Sequence, residues 1–139
     1  MHAVVLHTGQ LLFFAGSGND PDKVPPQDFR TACWSSPEPV FTGLATPIDF
    51  FCVGQATLAD GKGPAAGGTT RYDPFRGLRD ACLYDPAHGQ RAATHPMAGE
   101  RWYPTLMGLG DGNVLAASGL DEDGNLNVVP EVYDVATGH

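Results

Sequence analysis

Apolar positions along the chain fall in short runs closed by turn residues. "HAVVLH" and "QLLFFAG" flank Thr8-Gly9, "GQATL" and "KGPAAGG" flank Asp60-Gly61, and "PTLMGL" and "NVLAAS" flank Asp111-Gly112. A glycine of this kind between apolar runs signals a hairpin, because glycine takes a positive φ without steric cost. Each segment therefore reads as strand, tight turn, strand, and then a small-residue pair: Ala15-Gly16, Gly67-Gly68 and Ser118-Gly119. No segment carries the period of an amphipathic helix.

The pattern repeats. The turn glycines Gly9, Gly61 and Gly112 recur at intervals of 52 and 51 residues. "FRTACW" (29–34), "LRDACLYDP" (78–86) and "VPEVYDV" (129–135) read as third strands, with Arg30 to Arg79 and Tyr84 to Tyr133 each spanning 49 residues. A period near fifty built of short strands predicts an all-β chain of β-propeller blades, roughly four strands each. The 139 residues then hold fewer than three blades, in units of about 1–51, 52–102 and 103–139. Propellers typically close with four to eight blades. The open edges and faces are therefore expected to meet other copies of the chain or the missing blades of a longer parent. A chain that begins a strand at His2 fits a partial protein in the same way. Pro64 interrupts the second unit and cannot donate to a ladder, so its strand should be weak.

Composition narrows the partners. Charged residues make up 17% and the formal net charge is −8, with no cluster of Lys or Arg; no nucleic acid and no anionic membrane is expected to bind. No apolar run reaches the length of a membrane span, and no signal peptide is visible. Three cysteines cannot all pair. Cys33 and Cys82, in "TAC" and "DAC", read as core positions of third strands, too far apart for a disulfide.

The third cysteine is the candidate for chemistry. Cys52 in "IDFFCVGQ" and Tyr103 in "RWYPT" both stand where a first strand begins, 51 residues apart. Neighbouring blades then bring the two together. Taken by itself, Cys52 is a small buried hydrophobe, while Tyr103 and Trp102 pack in a blade interface. The histidines His2, His7, His88, His95 and His139 offer no ligand pair. "DEDGNLN" (121–127) spaces Asp121, Asp123, Asn125 and Asn127 on alternate positions, but the twelfth position is Val132 rather than Glu, so it reads as a solvated turn. "GPAAGGTT" lacks the lysine of a P-loop.

Taken together, "DFFCVG…LADG…GG…YDP…M…RWYPT…DG" resembles the kelch-repeat copper radical oxidases, the galactose oxidase and glyoxal oxidase group, over His2 to Gly138 and their N-terminal propeller part only. The resemblance implies a thioether crosslink between Cys52 and Tyr103, with Tyr103 as copper ligand and radical. It further implies copper as cofactor, a small alcohol or aldehyde substrate oxidised with O₂ to give H₂O₂, and a secreted, extracellular protein. This chain departs from the family at several points. Gln55 stands where many members carry histidine, and Asp121 lies near where galactose oxidase carries a stacking tryptophan. No Tyr-His dipeptide is present, so most copper ligands lie outside these residues, and the chain alone is expected not to oxidise alcohols or aldehydes. The alternative is a non-catalytic kelch scaffold that binds or self-assembles.

Overall fold

A computed structural model describes residues 1–23, 28–44, 46 and 48–139. The three hairpins form with one shared hydrogen-bond pattern. Leu6 N donates to Gln10 O, Leu58 N to Lys62 O and Leu109 N to Asn113 O, each at 2.8 Å. Gly9, Gly61 and Gly112 close the turns with φ of 81°, 84° and 92°, which only glycine adopts readily.

The first sheet holds β1 (His2–Val5), β2 (Leu11–Gly16), β3 (Arg30–Ser35) and β4 (Val40–Leu44) in antiparallel sequence order. The second holds β5 (Gly54–Gln55), β6 (Gly63–Ala66), β9 (Ala81–Asp85) and β10 (Gln90–Ala93), in the order β10-β9-β6-β5. The third holds β11 (Thr105–Gly108), β12 (Val114–Ala117) and β13 (Glu131–Tyr133), also in sequence order. The predicted third strands are β3, β9 and β13. A short 3₁₀ turn, Pro21–Lys23, is the helical element among the described residues.

The sequence did not announce the ribbon of β7 (Thr69–Arg71) and β8 (Arg76–Gly77), inserted between β6 and β9. Thr69 holds its two strands together, its hydroxyl donating to Arg71 O at 2.8 Å and Arg76 O at 3.2 Å.

Pro64 corrects the expectation in part. It lies in an inner strand, buried and flanked by β5 and β9. A residue of an antiparallel strand aims its N–H and C=O at the same neighbour. Ala56 N donates to Pro64 O at 3.2 Å, so the missing N–H faces β5 and the ladder to β9 loses nothing. The loss falls on β5, which has two residues where β1 and β11 have four.

The alternation of β2, with Leu12 and Phe14 inward, feeds a core between the first two sheets. Leu6, Leu12, Phe14, Cys33, Phe50, Val53, Ala65, Cys82 and Tyr84 fill it. Phe14 and Phe50 meet edge to face, centroids 5.8 Å apart. Cys33 and Cys82 are free, buried thiols of this layer. A smaller cluster of Ala66, Met97 and Ala116, with Ala81 and Leu106 against it, joins the second and third sheets.

Candidate functional site where β5 and β11 begin

Cys52 and Tyr103 each stand two residues before the first strand of a sheet. Both backbones are left-handed, with φ of 60° and 62°, a conformation that costs an ordinary residue about 1–2 kcal/mol. Two such residues at matching places are unusual enough to suggest that the local shape is used. Tyr103 N donates to Cys52 O at 3.0 Å, tying the two strand starts directly. Gly54 allows this approach, since a Cβ there would stand 2.9 Å from Leu106 Cγ, Pro104 Cγ and Pro104 O.

The two side chains sit in different surroundings. Cys52 is buried, and burial is the main cause that pushes its thiol up to about 11. The terminal ammonium of Met1 opposes that rise and the Asp49 carboxylate adds to it. Cys52 is thus a neutral thiol at neutral pH. Tyr103 is 56% exposed, so its ring is not packed away in a sheet interface as expected for an unmodified tyrosine at this place. The His2 ring meets it edge on at 5.5 Å, and Trp102 lies at 5.5 Å on another side. Burial, and then the terminal ammonium, lower the His2 pKa below its usual value.

Trp102 is a packing residue with a defined partner. Its ring stacks on Phe75 at 4.2 Å and 6°, and its backbone pairs with Leu120 in both directions, at 2.7 and 2.9 Å. Phe75 belongs to the loop between β7 and β8, so the unforeseen ribbon reaches across to the "RWY" segment.

Arg101 anchors that segment. It is 1% exposed, and its guanidinium reaches Glu131 Oε1 from Nε at 3.2 Å and from Nη2 at 2.9 Å. Nη1 donates to Ser118 O at 2.9 Å, and Nη2 also donates to Val129 O. The second oxygen of Glu131 accepts Ala98 N at 2.6 Å. One carboxylate of β13 thus grips both ends of the 98–101 stretch. A buried charge needs such pairing.

Asp49, to which the sequence motifs assign no role, is the matching anchor for Cys52. Its Oδ1 accepts Ser17 N at 2.8 Å and Phe51 N at 3.0 Å. Its Oδ2 accepts the Tyr72 hydroxyl at 3.1 Å. A Cβ on Gly16 would fall 2.2 Å from Asp49 Oδ1, so the small pair Ala15-Gly16 is small to admit this carboxylate. Burial, then the Asp49 charge and its hydrogen bond, raise the Tyr72 pKa.

No group of three or more His, Cys, Asp or Glu side chains able to hold a metal occurs among the described residues. Tyr103, with His2 beside it, is too small a donor set to fix copper, whose coordination takes several ligands. These residues alone therefore do not make a copper centre. Asp121 instead closes a turn, its Oδ1 accepting Asp123 N at 2.9 Å and Asn125 N at 2.8 Å. Those amides hold its carboxyl below the usual carboxylate range.

The chain is all-β and has the fold of a β-propeller piece. Among solved structures it is similar to a novel fungal alcohol oxidase with catalytic diversity among the AA5 family, in complex with copper, at a TM-score of 0.75 and 20% identity. The likeness covers 99% of this chain and 28% of that one. It shows a shared fold, and this chain spans little more than a quarter of that protein's length. No family model and no curated protein matches the chain.

Proposed function

We propose that the chain is part of a galactose oxidase-like copper radical oxidase and contributes its Cys-Tyr half-site, Cys52 with Tyr103. The carrying observation is the pairing of the two strand starts. Matching left-handed residues are joined by the 3.0 Å bond from Tyr103 N to Cys52 O. The "FC.G" and "R.Y" motifs at these positions and the copper-bound AA5 alcohol oxidase of similar fold support the reading. Copper, the small alcohol or aldehyde substrate and the extracellular setting all come with it. No helix among the described residues is long and apolar enough to cross a membrane.

The roles divide by environment. Cys52, neutral and buried, supplies sulfur to the ortho carbon of the Tyr103 ring. The C–S bond forms as the S–H and one ring C–H break, and the two electrons and two protons pass to O₂ as H₂O₂. Tyr103, exposed, presents its phenol outward, where donors from beyond these residues complete the copper site. Bound copper would there supply the redox partner for substrate oxidation. Arg101 and Asp49 hold the two strand starts in register.

The test is the mass of the Cys52 and Tyr103 peptides after copper loading in air of the full-length parent, which carries the donors that complete the site. A joined peptide, two hydrogens lighter than its parts, is expected. It should be missing in Cys52→Ser, in Tyr103→Phe and in the copper-free sample. Copper-loaded protein in which all Cys52 remains open to alkylation after unfolding overturns the reading.

A further inference from the structure

Four aromatic rings continue from Tyr103 and curve back to Phe51, the residue next to Cys52. Trp102 lies 5.5 Å from Tyr103, Phe75 stacks flat on Trp102 at 4.2 Å, and Tyr72 meets Phe75 edge on at 5.5 Å. Phe51 closes the group, 5.6 Å from Tyr72 and 6.0 Å from Phe75. The row ends on a hydroxyl with a proton acceptor already in place, since Tyr72 donates to Asp49 Oδ2 at 3.1 Å. Asp49 is 4% exposed and its other oxygen is occupied by two amides, so Oδ2 is held on Tyr72. The Trp102 indole N–H is buried and meets no acceptor among the described residues.

These features set a direction. Indole is donor only, and with no acceptor an oxidised Trp102 keeps its proton and stays a strong oxidant. A phenol that can shed its proton as it loses an electron is easier to oxidise. Tyr72, hydrogen-bonded to a carboxylate, is such a phenol. Phe75 is not itself oxidised; its ring fills the gap between donor and acceptor.

We propose that Trp102, Phe75 and Tyr72 form a relay that draws one-electron oxidising equivalents away from the neighbourhood of Tyr103 and ends them on the Tyr72 hydroxyl, with Asp49 taking the proton. The incoming oxidant is a diffusible one-electron radical of the azide or hydroxyl type. It takes one electron from Trp102 and leaves as its reduced anion. Oxidised Trp102 then recovers an electron from Tyr72 across Phe75. Tyr72 becomes a neutral phenoxyl radical as its proton moves to Asp49 Oδ2. Charge and electrons balance, and neither copper nor the crosslink takes part. The relay thus stands or falls apart from the half-site.

Pulse radiolysis with azide radicals tests it on the whole chain. Trp34→Phe with Tyr103→Phe leaves Trp102 as the sole indole and removes its adjacent phenol. In that background the indolyl absorption should convert to phenoxyl absorption in a first-order step independent of protein concentration. The step should slow in heavy water. Adding Tyr72→Phe, which keeps the ring, should abolish it, and adding Asp49→Asn should slow it by about tenfold or more. Near-ultraviolet circular dichroism confirms that each variant is folded. The relay is overturned if Tyr72→Phe leaves the transfer rate unchanged, if the rate rises with protein concentration, or if heavy water has no effect.

Discussion

At the scale of single residues, two anchors, Asp49 and Arg101, fix the segments that carry Cys52 and Tyr103. Gly16 and Gly9 make a controlled comparison. Both have positive φ, 55° and 81°, but a Cβ at Gly9 meets nothing within 4 Å, whereas one at Gly16 collides with the Asp49 carboxylate. Gly9→Ala should cost about 1 kcal/mol from backbone strain alone. Gly16→Ala should cost about 2–4 kcal/mol, because strain, overpacking and a displaced carboxylate combine. Urea unfolding of the two variants measures the difference. Equal losses would show that Asp49 is not held as described. Asp49 and Arg101 were not legible as anchors in the sequence. Asp49 takes its partners from 32 residues before and 23 after, and Arg101 pairs with Glu131 30 residues on. Local pattern carries no trace of such pairings. That Cys52 and Tyr103 are backbone neighbours was legible, because a repeat places equivalent positions side by side.

At the scale of elements, hairpins were the most readable feature, since each is fixed by a turn glycine and its flanking apolar runs. The β7–β8 ribbon escaped notice because its strands are short and carry no alternation, and a threonine hydroxyl rather than an apolar face joins them. The element that most invites measurement is the loop from Met97 to Tyr103, fastened to β13 by the Arg101–Glu131 pair. Removing one partner of a buried pair typically costs about 3–5 kcal/mol. Glu131 retains side-chain exposure of 22% against 1% for Arg101, so truncating Glu131 strands the more deeply buried charge. Glu131→Ala is therefore expected to destabilise by about 3 kcal/mol and to do more damage than Arg101→Met, which leaves a carboxylate that water can reach. Thermal unfolding of both variants decides the order.

At the scale of the whole molecule, two behaviours follow from the layers. Burial raises the Cys52 thiol to about 11 and the Cys82 thiol to about 12, against an ordinary 9.0. It also raises the Tyr84 phenol to about 12 from 10.0. All three bind their protons more tightly folded than unfolded. Their stabilising contribution is whole below pH 9 and is lost as pH rises through 11 to 12. A denaturation series from about pH 7 to pH 12 should show the midpoint falling over that window, with Cys82→Ala flattening part of the fall. Assembly is the second behaviour expected. Three sheets do not close a ring, and Val128 and Val129, just before the outer strand β13, and Val132 within it are 76%, 67% and 51% exposed. Unpaired edges with apolar neighbours seek partners. Light scattering at micromolar concentration is expected to report species larger than 14.7 kDa, and a clean monomer would count against it.

Pro64 gives the second sheet slack where the first has none. With one donor missing, the rail that carries Cys52 is tied to its neighbour over two residues instead of four. A short, loosely tied rail opens more often than a long one. Hydrogen exchange at Gly54 and Gln55 should therefore outpace that at Leu12 and Phe14. Under the proposed crosslink that looseness would serve the approach of sulfur to ring: the strand beyond the Asp49 anchor yields, while the Arg101–Glu131 grip keeps Tyr103 still.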